Sequence, residues 1–223
     1  MLVYLNKIKA PINPQEFEAE VRQICLDCHI KNPNWLMIIM YAESQLKLIS
    51  NASGAYGYIQ IIPSTARKDL HISMADLKKL SWKAYLQYTK LYIQHRIQEQ
   101  HGQAPRTAYE LYQLIHFPKA YRKPENYVLY LRGSDAYSGN APLDRNQDGK
   151  VNVAEINGFI DDKCPLFFDK SVLLKAEKPQ SDYYFQNYQL SQMLIAAGIS
   201  TLAVFGAIGF KHYQRKGKGL KSH

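Results

Sequence analysis

The chain is 223 residues long and 46% hydrophobic, with 28 Lys and Arg against 19 Asp and Glu, a net charge of +9. That length accommodates one domain of about 160 residues with a real core, plus a linker and an appended segment. Three cysteines, an odd number, exclude a full disulfide framework, and five of the basic residues lie after Phe210, so the positive balance is partly topological and nucleic acid is not the expected partner.

Met1 to Lys7 lacks the basic leader, long apolar core and small-residue cleavage site of a secretory signal. Asn13 with Glu16 reads as a capping box, and Phe17, Val21, Ile24 and Cys28 then form a helical stripe, so the fold is expected to start at once. Cys25-Leu-Asp-Cys28-His29 spells a c-type haem attachment pattern. It lies inside that amphipathic helix with Cys28 on the apolar stripe, which fits a buried hydrophobe better than a haem ligand. The histidines at 71, 95, 101 and 116 show no zinc-ligand spacing.

Asn32 reads as the cap of a second helix and Pro33 as its first residue. Trp35 to Ala42 is apolar on nearly every face, the pattern of a helix buried all round. Glu43 ends it. A carboxyl there has few waters near it, and desolvation raises its pKa as a general acid requires. Taken alone, Glu43 is better explained as an exposed residue on the last turn; the residues that follow decide. Gly54 and Gly57 let the backbone turn sharply and approach a ligand, Gln60 offers a donor and an acceptor to an acetamido sugar, and Pro63-Ser-Thr-Ala reads as the next helix start.

The spacing of Glu43-Ser44, then Ser53-Gly-Ala-Tyr-Gly57-Tyr58-Ile-Gln60, then Pro63 to Ala66 resembles the lytic transglycosylase (SLT) branch of the lysozyme superfamily. The resemblance implies that the chain cuts peptidoglycan between MurNAc and GlcNAc. Glu43 would protonate the glycosidic oxygen and the muramic acid 6-hydroxyl would then attack the anomeric carbon, leaving a 1,6-anhydro end, while Ser44, Gly57, Tyr58 and Gln60 would contact the glycan. No Asp or Glu lies between Glu43 and Asp69, which fits a single acid rather than the usual pair.

Two departures stand out. Tyr58-Ile59 replaces the usual Leu-Met, and the later Ala-Tyr-Asn-Ala-Gly segment is missing. In its place stands Glu110-Leu-Tyr-Gln-Leu-Ile-His-Phe-Pro through Asn126-Tyr127-Val-Leu-Tyr130. With Asn34-Trp-Leu-Met37, this resembles a subset of phage-encoded transglycosylase domains and makes Tyr127 and Tyr130 candidates to flank the substrate. Aromatic core packing explains those two tyrosines equally well.

Asp144-x-Asn146-x-Asp148-Gly149-Lys150-Val151-Asn152-x-x-Glu155 meets the EF-hand calcium loop at its ligand positions, with glycine at the turn. Asp144, Asn146, Asp148 and Glu155 would supply side-chain oxygens, Lys150 its carbonyl, and Asn152 a water-mediated contact. Val153 to Ile160 reads as the exiting helix, whereas Ser138 to Leu143 does not read as an entering one. Half an EF-hand of this sort is expected to brace a fold rather than to signal.

From Tyr183 to Phe210 no residue is charged. Counted from Leu190 the stretch spans about 30 Å as a helix, a bilayer's hydrocarbon thickness. Tyr183, Tyr184, Phe185 and Tyr188 precede it as an aromatic belt, and Lys211, Arg215, Lys216, Lys218 and Lys221 follow as a basic end. Ala196, Ser200, Ala203 and Ala207 make a small-residue face suited to helix pairing.

The expected architecture is all-α: a lysozyme-like transglycosylase domain over residues 1–165 including the loop 144–155, a linker 166–189, a transmembrane helix 190–210 and a basic tail 211–223. The expected partners are peptidoglycan strands, a lipid bilayer and other virion membrane proteins. A wall-degrading enzyme without an export signal needs another route outward, and a virion membrane or ejection apparatus acting during host entry supplies one. Two other functions suit the same residues: a goose-type muramidase that uses water in place of the 6-hydroxyl, and a non-catalytic glycan-binding membrane protein of a virion or secretion machine.

Overall fold

Two asparagines start the helical framework in the computed structural model, which describes residues 1–166 and 169–174. The Asn13 side chain accepts from the Gln15 and Glu16 N–H groups at 2.9 and 3.3 Å and opens α1 (Pro14–Asp27). Asn32 accepts from Asn34 N–H at 3.0 Å and opens α2 (Pro33–Ser44). Proline follows each cap, where its missing N–H costs nothing. α1 buries Phe17, Val21, Ile24 and Cys25, with Cys28 a buried free thiol just beyond its end. Every residue of α2 from Pro33 to Met40 is buried.

The N-terminal segment belongs to this core. Leu2, Val3, Leu5 and Ile8 are buried, Val3 N–H donates to Asn34 Oδ1 at 2.9 Å, and Tyr4 stacks on Tyr41 with ring centroids 3.8 Å apart. After α2 the chain turns back through Gln45 and Leu46 in left-handed backbone and enters a loop in which Tyr56 bridges to both Ser50 and Ile61. Four helices follow: α3 (Pro63–Lys68), α4 (Met74–Leu77), α5 (Trp82–Glu99) and α6 (Ala108–His116). Ser73, Ser81 and Thr107 cap the last three. α2 packs against α1 and α6, and α5 packs on α1 and α6.

The all-α expectation needs correcting: the fold is mostly helical with a small sheet. β1 (Val128–Leu131) precedes α7 (Asp135–Asn140), and β2 (Lys150–Asn152) leads into α8 (Val153–Asp162). β1 and β2 pair antiparallel, Tyr130 opposite Val151. The Val-Leu-Tyr-Leu run has β propensity, and the outgoing half of the loop 144–155 supplies the extended partner. A second correction concerns Ser138 to Leu143, which is helical: the Ser134 side chain accepts from Tyr137 N–H at 3.1 Å and starts α7, and a 3₁₀ turn, Ala141–Leu143, takes over at Pro142. α8 is the exiting helix expected from Val153; it begins at a capping box between Asn152 and Glu155 and packs on α6 and α2.

Leu173, in a 3₁₀ turn Lys170–Leu173, is fully buried in the hydrophobic core, so the packed domain runs past the expected boundary at 165. Among the described residues no helix is long and apolar enough to cross a membrane. The expected transmembrane helix 190–210, the basic tail 211–223 and most of the linker lie outside the described residues.

Candidate active site

Glu43 sits on the last turn of α2, and its neighbour fixes that turn. Ser44 Oγ lies 3.0 Å from the Met40 carbonyl and 3.1 Å from the Tyr58 carbonyl and accepts from Lys47 N–H at 3.3 Å. The hydroxyl is buried and committed to protein, so Ser44 ties the helix end to the glycine loop. Gly57, at φ +87°, is demanded by packing as well as by backbone: a Cβ there would meet Tyr85 Cζ at 2.0 Å. Tyr85 in turn donates to the Tyr56 carbonyl at 2.7 Å.

Gln60 turns the chain in left-handed backbone. Its Nε2 donates to the Gly57 and Ile49 carbonyls at 2.7 and 3.2 Å, while Oε1 is buried without a hydrogen-bond partner. The Tyr58 ring corrects its expected role as a glycan contact. It is 1% exposed and points into the core, edge-on to Phe17 and Tyr85 at 5.5 Å each, because an aromatic beside Gly57 completes the packing around Tyr85.

Two phenols stand beside Glu43, and an imidazole touches both of them. Tyr112, on α6, brings its hydroxyl beside the carboxyl and favours the ionised form. Tyr130, on β1, is close enough for the Glu43 charge to help raise its phenol pKa to about 12, after the larger effect of burial. His116, one turn beyond Tyr112, stacks on the Tyr112 ring at 5.1 Å and lies 3.2 Å through Nε2 from the Tyr130 hydroxyl. Burial pushes the Glu43 carboxyl up to about 7, and the Tyr112 hydroxyl draws it part of the way back. Burial also pushes His116 down to about 4, so its imidazole is neutral at ordinary pH. Glu43 and His116 both keep some solvent exposure. Tyr127 is half-buried at the entry to β1, where its carbonyl accepts from Val153 N–H at 3.0 Å and Lys123 stands over its ring.

The loop 144–155 is closed by its own hydrogen bonds. Asp144 Oδ2 accepts from the Tyr137 hydroxyl at 2.5 Å and from Gly149 N–H at 2.9 Å, and these two hold its carboxyl below the usual range against partial desolvation. Asn146 and Asp148 accept from the N–H groups of Asp148 and Lys150 at 2.9 and 2.8 Å. Glu155 accepts from Arg145 at 2.9 Å and Asn152 at 3.0 Å. Asp144 Oδ1 is buried and unpartnered. Among the described residues no three His, Cys, Asp or Glu side chains converge closely enough to hold a metal ion.

Tyr112 and His116 escaped the reading of the sequence. Their four-residue spacing in Glu110-Leu-Tyr-Gln-Leu-Ile-His116 was the available signal, since it puts both rings on one face of a helix. No family model matches the chain, and neither the curated proteins nor the solved structures give a match.

Proposed function

We propose that the chain is a peptidoglycan lytic transglycosylase on a lysozyme-like domain, with Glu43 as its acid and then its base. One observation carries the reading: a carboxyl at the end of a helix buried from Pro33 to Met40, pushed up to about 7 by burial with the Tyr112 phenol beside it. Such a group is protonated often enough near neutrality to give its proton to a glycosidic oxygen as the C1–O bond breaks. The carboxylate left behind then takes the proton of the muramic acid 6-hydroxyl as that oxygen bonds to C1, which restores the acid and leaves a 1,6-anhydro end. Burial and Tyr112 are what shift Glu43.

Gln60 fixes the turn of the loop through its Nε2 bonds to the Gly57 and Ile49 carbonyls and is kept as the proposed neighbour of an acetamido group. Ser44 and Gly57 hold the loop that presents Gln60, and Tyr130 supplies a second phenol beside Glu43. Tyr127 is kept as an outer contact further along the chain.

The loop 144–155 fits calcium in its donor chemistry. Asp144, Asn146 and Asp148, the Lys150 carbonyl, Asn152 and Glu155 offer hard oxygens in the order such a loop needs, and Asp144 Oδ1 is an orphaned buried acceptor. A bound ion would supply positive charge that neutralises these carboxylates and braces the loop. Residues 190–210 are proposed as a single-pass anchor that holds the enzyme at a virion membrane for local opening of a host wall. Clearing of a peptidoglycan suspension tests the enzyme reading: the full-length chain lowers the turbidity and Glu43→Gln at equal concentration leaves it unchanged. Equal clearing by both proteins would sink the assignment.

A further inference from the structure

We propose that His116 is a positioning residue that fixes the Tyr130 phenol beside Glu43, so that the pair, rather than Tyr130 alone, sets how a glycan is held at the acid. This rests on the reading of Glu43 given above. The geometry is specific. His116 Nε2 is 3.2 Å from the Tyr130 hydroxyl, and the two rings meet edge to face at 6.0 Å. Phe117 closes on Tyr130 from a second side at 5.4 Å, also edge to face.

The same imidazole stacks on Tyr112, the phenol beside Glu43. One helical turn of α6 therefore carries both the residue that touches the acid and the residue that orients the second phenol. Tyr130 comes from β1, a short strand with an irregular register at Val128 and Tyr130, so its own backbone holds it less firmly than a helix holds Tyr112. The contact with His116 supplies what the strand lacks.

The chemistry defines what the contact does. Tyr130 keeps its proton at neutral pH and has one hydrogen to give and two lone pairs. A neutral imidazole takes that hydrogen at Nε2 when its own proton is on Nδ1, and the Tyr130 oxygen then faces the substrate as an acceptor. With the proton on Nε2 the imidazole donates instead, and Tyr130 faces the substrate as a donor. In either tautomer one direction of the phenol is fixed before substrate arrives, which is the preorganisation that a binding group needs. If His116 only filled space, phenylalanine would serve as well: it preserves the stack on Tyr112 and removes only the hydrogen bond.

The test is a set of variants of the full-length chain, His116→Phe, His116→Gln, Tyr130→Phe and the double His116→Phe/Tyr130→Phe, assayed on purified peptidoglycan strands. The proposal predicts that His116→Phe and Tyr130→Phe each lower kcat/KM about tenfold, the scale of one lost hydrogen bond to substrate. The double variant should be no worse than the poorer single one, and His116→Gln, whose amide can restore the bond, should stay within about threefold of wild type. A His116→Phe enzyme within twofold of wild type, or losses that multiply in the double variant, would overturn it. Imidazole ¹⁵N shifts supply a readout free of catalysis and of the His116→Phe protein's folding: Tyr130→Phe should change the His116 tautomer signature, and an unchanged signature would refute the contact. Should the wild-type chain release no fragments while the ¹⁵N signature responds, the Glu43 reading fails and the His116–Tyr130 contact stands.

Discussion

The Tyr112 hydroxyl lies beside the Glu43 carboxyl and acts on its proton affinity, where the middle of α6 meets the last turn of α2. The two residues pull the acid in opposite directions. Burial at the end of an apolar helix favours the protonated carboxyl, and the phenol favours the carboxylate. The outcome, about 7, is where one group can serve as acid and as base in a single turnover.

Cleavage should fall as pH rises through about 7, because the protonated Glu43 that starts the reaction is lost there. The same shift appears in stability. The folded-state pKa is above the ordinary carboxylate value, so the folded chain binds the proton more tightly than the unfolded chain, and stability falls as pH rises from about 4.5 through 7. Glu43→Gln removes that loss. Its Tm should exceed that of wild type at pH 8 and approach it at pH 5. The His116 contribution runs the other way, lost as pH falls from about 6.5 toward 4, and it cancels in this comparison. Tm curves that stay parallel across the range would contradict the burial of Glu43.

Tyr112→Phe should move the alkaline limb of the pH–rate profile upward, since it deletes the hydroxyl that favours the carboxylate. The stability cost should be about 1 kcal/mol, the net worth of one hydrogen bond. A limb that stays in place or moves downward would show that the phenol does not act on Glu43.

Gly57→Ala should cost about 3 kcal/mol or more in chemical denaturation, from left-handed backbone together with a clash against the Tyr85 ring. Gly102→Ala shares the positive φ but has open space at its Cβ, and should cost only about 1 kcal/mol. Equal losses for the two would remove the packing argument and leave backbone strain alone.

Calcium should raise the Tm by roughly 5 °C or more at saturating concentration, and Asp144→Ala should abolish the rise. An unchanged Tm with and without chelator would withdraw the ion from the loop 144–155.

Much of the framework was legible because it is written in local chemistry. Asn13 and Asn32 ahead of prolines, and the unbroken apolar run from Trp35, specify α1 and α2 without tertiary information, and α2 places Glu43. The glycine loop was legible as a turn, but the direction of its side chains was not. Tyr58 and Ser44 read as site residues from their position in a motif, while the fold uses the ring as core and the hydroxyl as a tether. That depends on Phe17 and Tyr85, which lie far away in sequence. The sheet was missed because β1 and β2 are four and three residues long and are defined by pairing with each other. Tyr112 and His116 were missed because an aromatic on an apolar helix reads as core until its partner, here Glu43 or Tyr130, is known.

The central claim is tested most directly by mass spectrometry of the fragments that the full-length chain releases from purified peptidoglycan, wild type beside Glu43→Gln. The account predicts 1,6-anhydro muropeptides from wild type and none from the variant. Fragments with reducing ends would contradict the transglycosylase assignment and indicate a muramidase. No fragments from either protein would contradict catalysis altogether and favour a glycan-binding role.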